Sequence, residues 1–297
     1  MLAALPPVPL VRVRPALEIR TASPVNEVAV DGGRAATLVG ETPSWEYVLV
    51  WSPKGVVVRP SLACDRQESD LVVAGDRLAH VCFQGDTNTV LSATFRRPRS
   101  VPRLHTPSFV VLAGHGSLIA GSAGPTLWRF DPGGKVKLRR YAGSVVALDA
   151  DRSRILVGRT NTELEIVSRA GKTLAHLRIP HEGGALLRGN RIASIAKRRF
   201  VLSNLRGNAV RTRPVAHDAT LLDVEGDLVL YSAGTRLHLL RLNDGRDVAL
   251  RFPGQFGYAS AKFSSGSLFY AYNSLGTTKP GHAGFVAAAG VRALLRR

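Results

Sequence analysis

Short runs of alternating apolar and polar residues, bounded by Gly, Asn or Asp, fill the chain. A period of two is the mark of strands, not helices. In TLWRFDPGGKVKLRRY (126–141) two such runs flank a turn. The layout recurs in EYVLVWSPKGVVVRP from residue 46, LEIVSRAGKTLAHLRIP from 164, FVLSNLRGNAVRTRPV from 200 and LHLLRLNDGRDVALRFPG from 237. The turn glycines Gly134, Gly171, Gly207 and Gly245 follow one another at 36 to 38 residues, and Gly55 stands two periods ahead of Gly134. TVLSATFRRPRSVPRL (89–104) fills the gap, with Arg97-Pro98 in place of the glycine turn, and GFVAAAGVRALLRR (284–297) is a seventh candidate.

A second series of hairpins lies between these. Its turns fall at Asp31-Gly32-Gly33, Gly75-Asp76, Gly114-His115-Gly116, Asp149 to Ser153, Gly189-Asn190, Gly226-Asp227 and Gly266. Gly, Asn and Asp tolerate the positive φ of tight hairpin turns. Seven inner and seven outer hairpins predict an all-β fold, a seven-bladed β-propeller with four antiparallel strands per blade, A to D from the axis outward. Strands A and B read as nearly continuous apolar runs (LVVAG, RILVG, LVLY), as expected of strands sandwiched between blades, while D strands carry Arg. A two-domain β-sandwich would not require seven equal periods. Two segments compete to close the ring: ALEIRTA (16–22), which matches the D strands in register, and VRALL (291–295).

The layout over residues 24–297 resembles the WD40-like and YVTN-like seven-bladed propeller superfamily. The resemblance is one of architecture. The Trp-Asp that ends strand C of a WD40 repeat is missing, since the three tryptophans are followed by Glu46, Ser52 and Arg129, and no YVTN tetrapeptide occurs. It implies a scaffold that hosts binding proteins, lactonases, lyases and dehydrogenases alike.

Length and composition leave room for one large core: 297 residues, 45% hydrophobic and 21% charged. No apolar run approaches the ~20 residues of a membrane-spanning helix. Residues 16–297 read as a single propeller domain. Residues 1–15 read as an N-terminal segment, either the remnant of an export signal or a loose terminus. Net charge is +18, carried by 33 Arg against 7 Lys. Either a compositional bias toward Arg or a surface for polyanions produces such a count. Arg59, Arg140, Arg178, Arg211, Arg213 and Arg251 fall on or at the end of D strands, where charge protects a sheet edge. The expectation is a basic outer rim with weak, salt-sensitive polyanion association and no sequence-specific nucleic-acid recognition.

Because strand direction alternates, D-to-A and B-to-C connections share one face, here termed the loop face, and A-to-B and C-to-D turns share the other, the turn face. The longer polar connections belong to the loop face, which is therefore where a site is expected. His105, His181 and His217 each stand eight or nine residues before an inner turn. They form either a cluster at the channel mouth or three separate histidines bonded within their own blades. CDRQESD (64–70) offers Asp65, Glu68 or Asp70 as a base or cation ligand, or is a solvated loop. Trp45 and Tyr258 are candidates for an aromatic ligand shelf. Cys64 and Cys82 form a possible disulfide, with Cys82 counted to lie opposite about Ser69.

The sequence carries no GxSxG, P-loop, GxGxxG, HxH or HExxH motif. No catalytic residue, metal site or cofactor is assigned on this basis. The reading is a non-catalytic binding or interaction module, exported or envelope-associated, or else cytoplasmic. It would take an unknown protein or small-molecule ligand on the loop face. The alternatives are a lactonase- or lyase-type propeller enzyme with its site on that face, and a weak polyanion binder acting through surface arginines.

Overall fold

The computed structural model describes residues 8–41, 44–58, 66–96, 99–274 and 280–296. Seven sheets, each built on four antiparallel strands, form a seven-bladed propeller. Blades 1 to 6 span residues 25–58, 66–106, 110–140, 146–178, 185–214 and 220–251. Blade 7 takes its A, B and C strands from 255–286 and its D strand from Leu17–Thr21, which pairs antiparallel with Gly281–Val286. The seven A strands contact one another in a closed ring, and the last touches the first.

Ring closure separates the two competing segments. The N-terminal strand closes blade 7, whereas the VRALL segment lies in a helix, Ala288–Leu294. Helix wins there because Ala-rich sequence has high helix propensity and because Val291 and Leu294, three residues apart, share one buried face. Arg251 also departs from expectation. It does not stand on the outermost strand, because a further strand, Leu10–Arg12, pairs parallel with the D strand of blade 6 and sets Arg12 beside Arg251.

Apolar burial is organised by junction. Among the described residues seven hydrophobic clusters each join two adjacent blades. The junction of blades 7 and 1 buries Trp51 completely, with the Phe269 ring 5.3 Å away. This is why the B strands are apolar on both faces; in blade 3 every residue of Leu118–Ala123 is buried.

Polar bonds cross the same junctions. On the turn face, arginines reach forward to carbonyls of the next blade. Arg77 of blade 2 donates to Ser117 O at 2.5 Å and Phe130 O at 2.9 Å in blade 3. Arg103 donates to Pro132 O at 2.8 Å, Arg129 to Arg169 O at 2.9 Å, Arg154 to Gly189 O at 2.8 Å and Arg213 to Leu242 O at 2.6 Å. Part of the arginine excess therefore satisfies turn carbonyls instead of facing a polyanion.

A test follows for Arg77, which is only 8% exposed. Arg77→Met leaves two carbonyls without their donor and should lower the unfolding free energy by about 1–3 kcal/mol. Arg140→Met, at an exposed rim position, should change it by less than about 0.5 kcal/mol. Urea denaturation midpoints of the two variants distinguish them; equal shifts would argue against the inter-blade role.

Candidate functional site

The structure places the three histidines apart. His105 lies within the D strand of blade 2, not in a loop, and its Nδ1 is 2.9 Å from the Thr89 hydroxyl on the neighbouring strand. His181 is buried in the link between blades 4 and 5 and donates from Nδ1 to Ile179 O at 2.8 Å. His217 is exposed in the link between blades 5 and 6, with Nδ1 2.6 Å from Asp218. Among the described residues neither cavity lining includes any of the three.

Trp45, Glu68 and Tyr258 fall in the strands Ser44–Ser52, Arg66–Ala74 and Gln255–Ser264, and their side chains lie outside the described residues. Cys64 also lies outside them, while Cys82 is disulfide-bonded. Cys82 pairs in register with Gln67, not Ser69, because a bulge between Gln67 and Leu71 shifts the A strand.

That bulge matters for a site absent from the sequence reading as a whole. A central cavity of about 560 Å³ is lined by all seven A strands, among them Glu27, Asp70, Asp149, Arg188, Asp223 and Lys262. Bulges in the A strands of blades 1 and 2 place Glu27 and Asp70 on its wall. Burial pushes the Glu27 carboxyl up to about 7, against a backbone hydrogen bond from Leu71 and the nearby Lys262 charge. Asp70 is pushed up to about 8 by burial and by the charge of Glu27. Across the channel, burial alone would raise Asp223, but Arg188 and Lys262 outweigh it and hold it low. Arg188 bridges two carboxylates, bonding Asp223 at 2.6 Å and Asp149 more closely still.

These groups do structural work. Glu27 accepts from Leu71 N at 2.7 Å, Asp149 from Leu187 N at 2.7 Å, Asp223 from Phe263 N at 2.7 Å and Glu225 from Gly266 N at 2.7 Å. Asp31 accepts from both Gly75 N (2.6 Å) and Gly116 N (2.8 Å), joining blades 1, 2 and 3. The two glycines have φ +64° and +61°, and a Cβ on Gly75 would stand 2.9 Å from Gly116 O, so this approach requires glycine. Ser260 and Ser264 of blade 7 accept from Val28 N and Gly33 N of blade 1. Apart from the Asp31–Gly116 bond, which spans two junctions, each of these bonds joins a side chain of one blade to a backbone amide of the next.

The loop face carries the accessible chemistry. The B-to-C connection of blade 5 is the two-residue turn Lys197-Arg198, followed by Arg199, and all three are exposed. Val215 N bonds Arg198 O at 3.0 Å, which sets this turn beside the link holding His217. On the same face, Phe109 is 64% exposed and Val146 40%.

No protein-family model matches the sequence, and comparison with curated proteins finds no match. Comparison with solved structures finds WD40-type and related propellers. The β-propeller domain of Myceliophteria thermophila Cps50 (Swd1) is 16% identical, with a TM-score of 0.65 over 92% of this chain and 99% of that one. The AfRom2 CNH domain is 13% identical, with a TM-score of 0.60 over 90% and 96%. Hsv2 of Kluyvelomyces marxianus is 14% identical, with a TM-score of 0.57 over 84% and 89%. The likeness is one of fold.

The channel carboxyls make stability depend on pH with a definite sign. Their folded pKa values lie above the ordinary ones, so the folded state holds protons that the unfolded chain releases, and stability falls as pH rises toward 8. Buried His80, lowered to about 4 by burial, acts oppositely: its contribution is present above the ordinary histidine value and is lost as pH falls below it. The interval from about pH 6.5 to 8 therefore isolates the carboxyls. Glu27→Gln and Asp70→Asn should each flatten the decline in that interval, measured by chemical denaturation; slopes identical to wild type would contradict the assignment.

Proposed function

We propose that the protein is a binding module that holds an acidic protein partner against its loop face. The observation that carries this reading is the Lys197-Arg198 turn. Both residues adopt left-handed backbone conformations, with φ of 47° and 63°, a region that residues bearing a side chain visit rarely. Such strain persists only where the surroundings over-determine it, and it concentrates at functional positions. The turn-face arginines are tied to neighbouring carbonyls, whereas Lys197, Arg198 and Arg199 project into solvent with exposed His217 close by. Phe109 and Val146 add apolar contact area on the same face. The likeness to propeller domains supports the reading by fold analogy. The disulfide at Cys82 supports an exported or envelope-associated setting, where oxidising conditions preserve such bonds.

The test measures binding of poly-glutamate and of heparin across a salt series. The double variant Lys197→Glu/Arg198→Glu should weaken poly-glutamate binding about tenfold or more, and the rim variant Arg140→Glu should leave it within about twofold. Equal losses from both sites would replace this reading with diffuse polyanion attraction. Heparin binding that exceeds poly-glutamate binding and persists at physiological salt would also overturn it, in favour of a polysaccharide or nucleic-acid partner.

A further inference from the structure

Blades 6 and 7 carry related cross-strand braces, in which one tyrosine both stacks and bonds the acid in blade 6 and two tyrosines divide these roles in blade 7. In blade 6, Tyr231 on strand B faces His238 on strand C in register, and their rings stack at 4.7 Å. Asp247 on strand D accepts from the Tyr231 hydroxyl and lies 3.4 Å from His238 Nδ1. In blade 7, Tyr272 faces His282 with ring centroids 4.6 Å apart and planes at 6°. His282 Nδ1 donates to Glu18 Oε1 at 2.8 Å, and the Tyr270 hydroxyl donates to Glu18 Oε2 at 3.1 Å. A bracing role explains the tyrosine, the histidine and the acid in both blades.

It does not explain Ser274. Two residues beyond Tyr272, the Ser274 hydroxyl stands 3.0 Å from His282 Nε2. Counted from the tyrosine that faces the histidine, the position two residues on in blade 6 is Ala233. With Nδ1–H donated to Glu18, Nε2 is the unprotonated nitrogen and accepts the hydroxyl proton, the arrangement that activates a serine. Gly254, at φ +65°, faces Ser274; a Cβ there would sit 3.6 Å from the serine Cβ, and glycine leaves that approach open.

We propose that Ser274, His282 and Glu18 form a hydrolytic site for short acyl esters at the loop-face end of blade 7, an activity beyond the binding role above. Ser274 Oγ attacks the acyl carbon as its proton passes to His282 Nε2. The ester C–O bond then breaks, and the leaving alkoxide takes that proton. Water, losing a proton to Nε2, attacks the acyl-serine; the Oγ–C bond breaks, the proton returns to Ser274 and a carboxylic acid leaves. Glu18 is a positioning residue that fixes the tautomer and orientation of His282. Ser274 is 9% exposed and the His282 side chain 13%, so the site suits a small acyl group.

The experiment combines fluorophosphonate labelling, read by mass spectrometry, with hydrolysis of p-nitrophenyl acetate. The full chain should carry one adduct at Ser274, and Ser274→Ala should lower turnover at least tenfold. This variant keeps the brace and places in blade 7 the residue that blade 6 already holds. Glu18→Gln should lower kcat while KM stays within about twofold, a split that a purely bracing role would not produce. An intact protein with no adduct at Ser274, or unchanged turnover in Ser274→Ala, overturns the proposal. Neither result touches the poly-glutamate measurement, which concerns residues of blade 5.

Discussion

The inner strand of every blade presents its backbone edge to the channel, where no further strand can pair with it. Amides in that position need acceptors, and leaving them unmet is costly. For Leu71, Leu187, Phe263 and Val28 the acceptors come from the neighbouring blade, the carboxylates of Glu27, Asp149 and Asp223 and the hydroxyl of Ser260, while Asp31, Glu225 and Ser264 accept from glycine amides of the A-to-B turns. This requirement explains why a channel in a strongly cationic protein is lined with acids. It also explains Arg188 and Lys262, whose charges offset those carboxylates where they are buried. Apolar clusters supply the bulk of the cohesion between blades, and the polar caps set the register between one blade and the next.

The hairpin series was legible because turn chemistry is local. A glycine or an Asx residue flanked by alternating apolar residues specifies a tight turn wherever it sits, so the blades and their order follow from short stretches such as LVVAGDRLAHV. Ring closure was less legible, since the partner of Leu17–Thr21 lies at the opposite end of the chain and nothing local distinguishes it from VRALL. Of the channel carboxylates Asp70 was legible as a candidate base or cation ligand in a loop, but its place on the channel wall, and Glu27 altogether, were hidden for a different reason. Glu27 and Asp70 reach the axis through bulges, and extra residues in a strand interrupt the regular alternation on which sequence reading depends.

The histidines show the same limit from the other side. Their spacing before the inner turns is regular along the chain, yet His105 belongs to a strand, His181 to a buried link and His217 to an exposed one. Sequence spacing fixes distance along the backbone, not the direction of a side chain. His282 was overlooked because its partners, Glu18 and Ser274, lie on two other strands. The arginine count was legible as an anomaly and not as a mechanism. Carbonyl partners such as Ser117 O and Gly189 O become visible only once the blades are docked.

The swap of strands at blade 7 has a temporal consequence. Leu17–Thr21 leaves the ribosome long before Gly281–Val286, its pairing partner, is made. Blades 1 to 5 are each continuous in sequence and can assemble during synthesis. The apolar flank of blade 1, including Trp51, must meanwhile wait for Phe269 and Phe285 of blade 7 to cover it. Nascent chains therefore pass through an open, adhesive arc, and the slow step is the closure of one very long loop. Any holding factor that shields the first blade until blade 7 has been made would raise the yield of closed rings without altering the final fold.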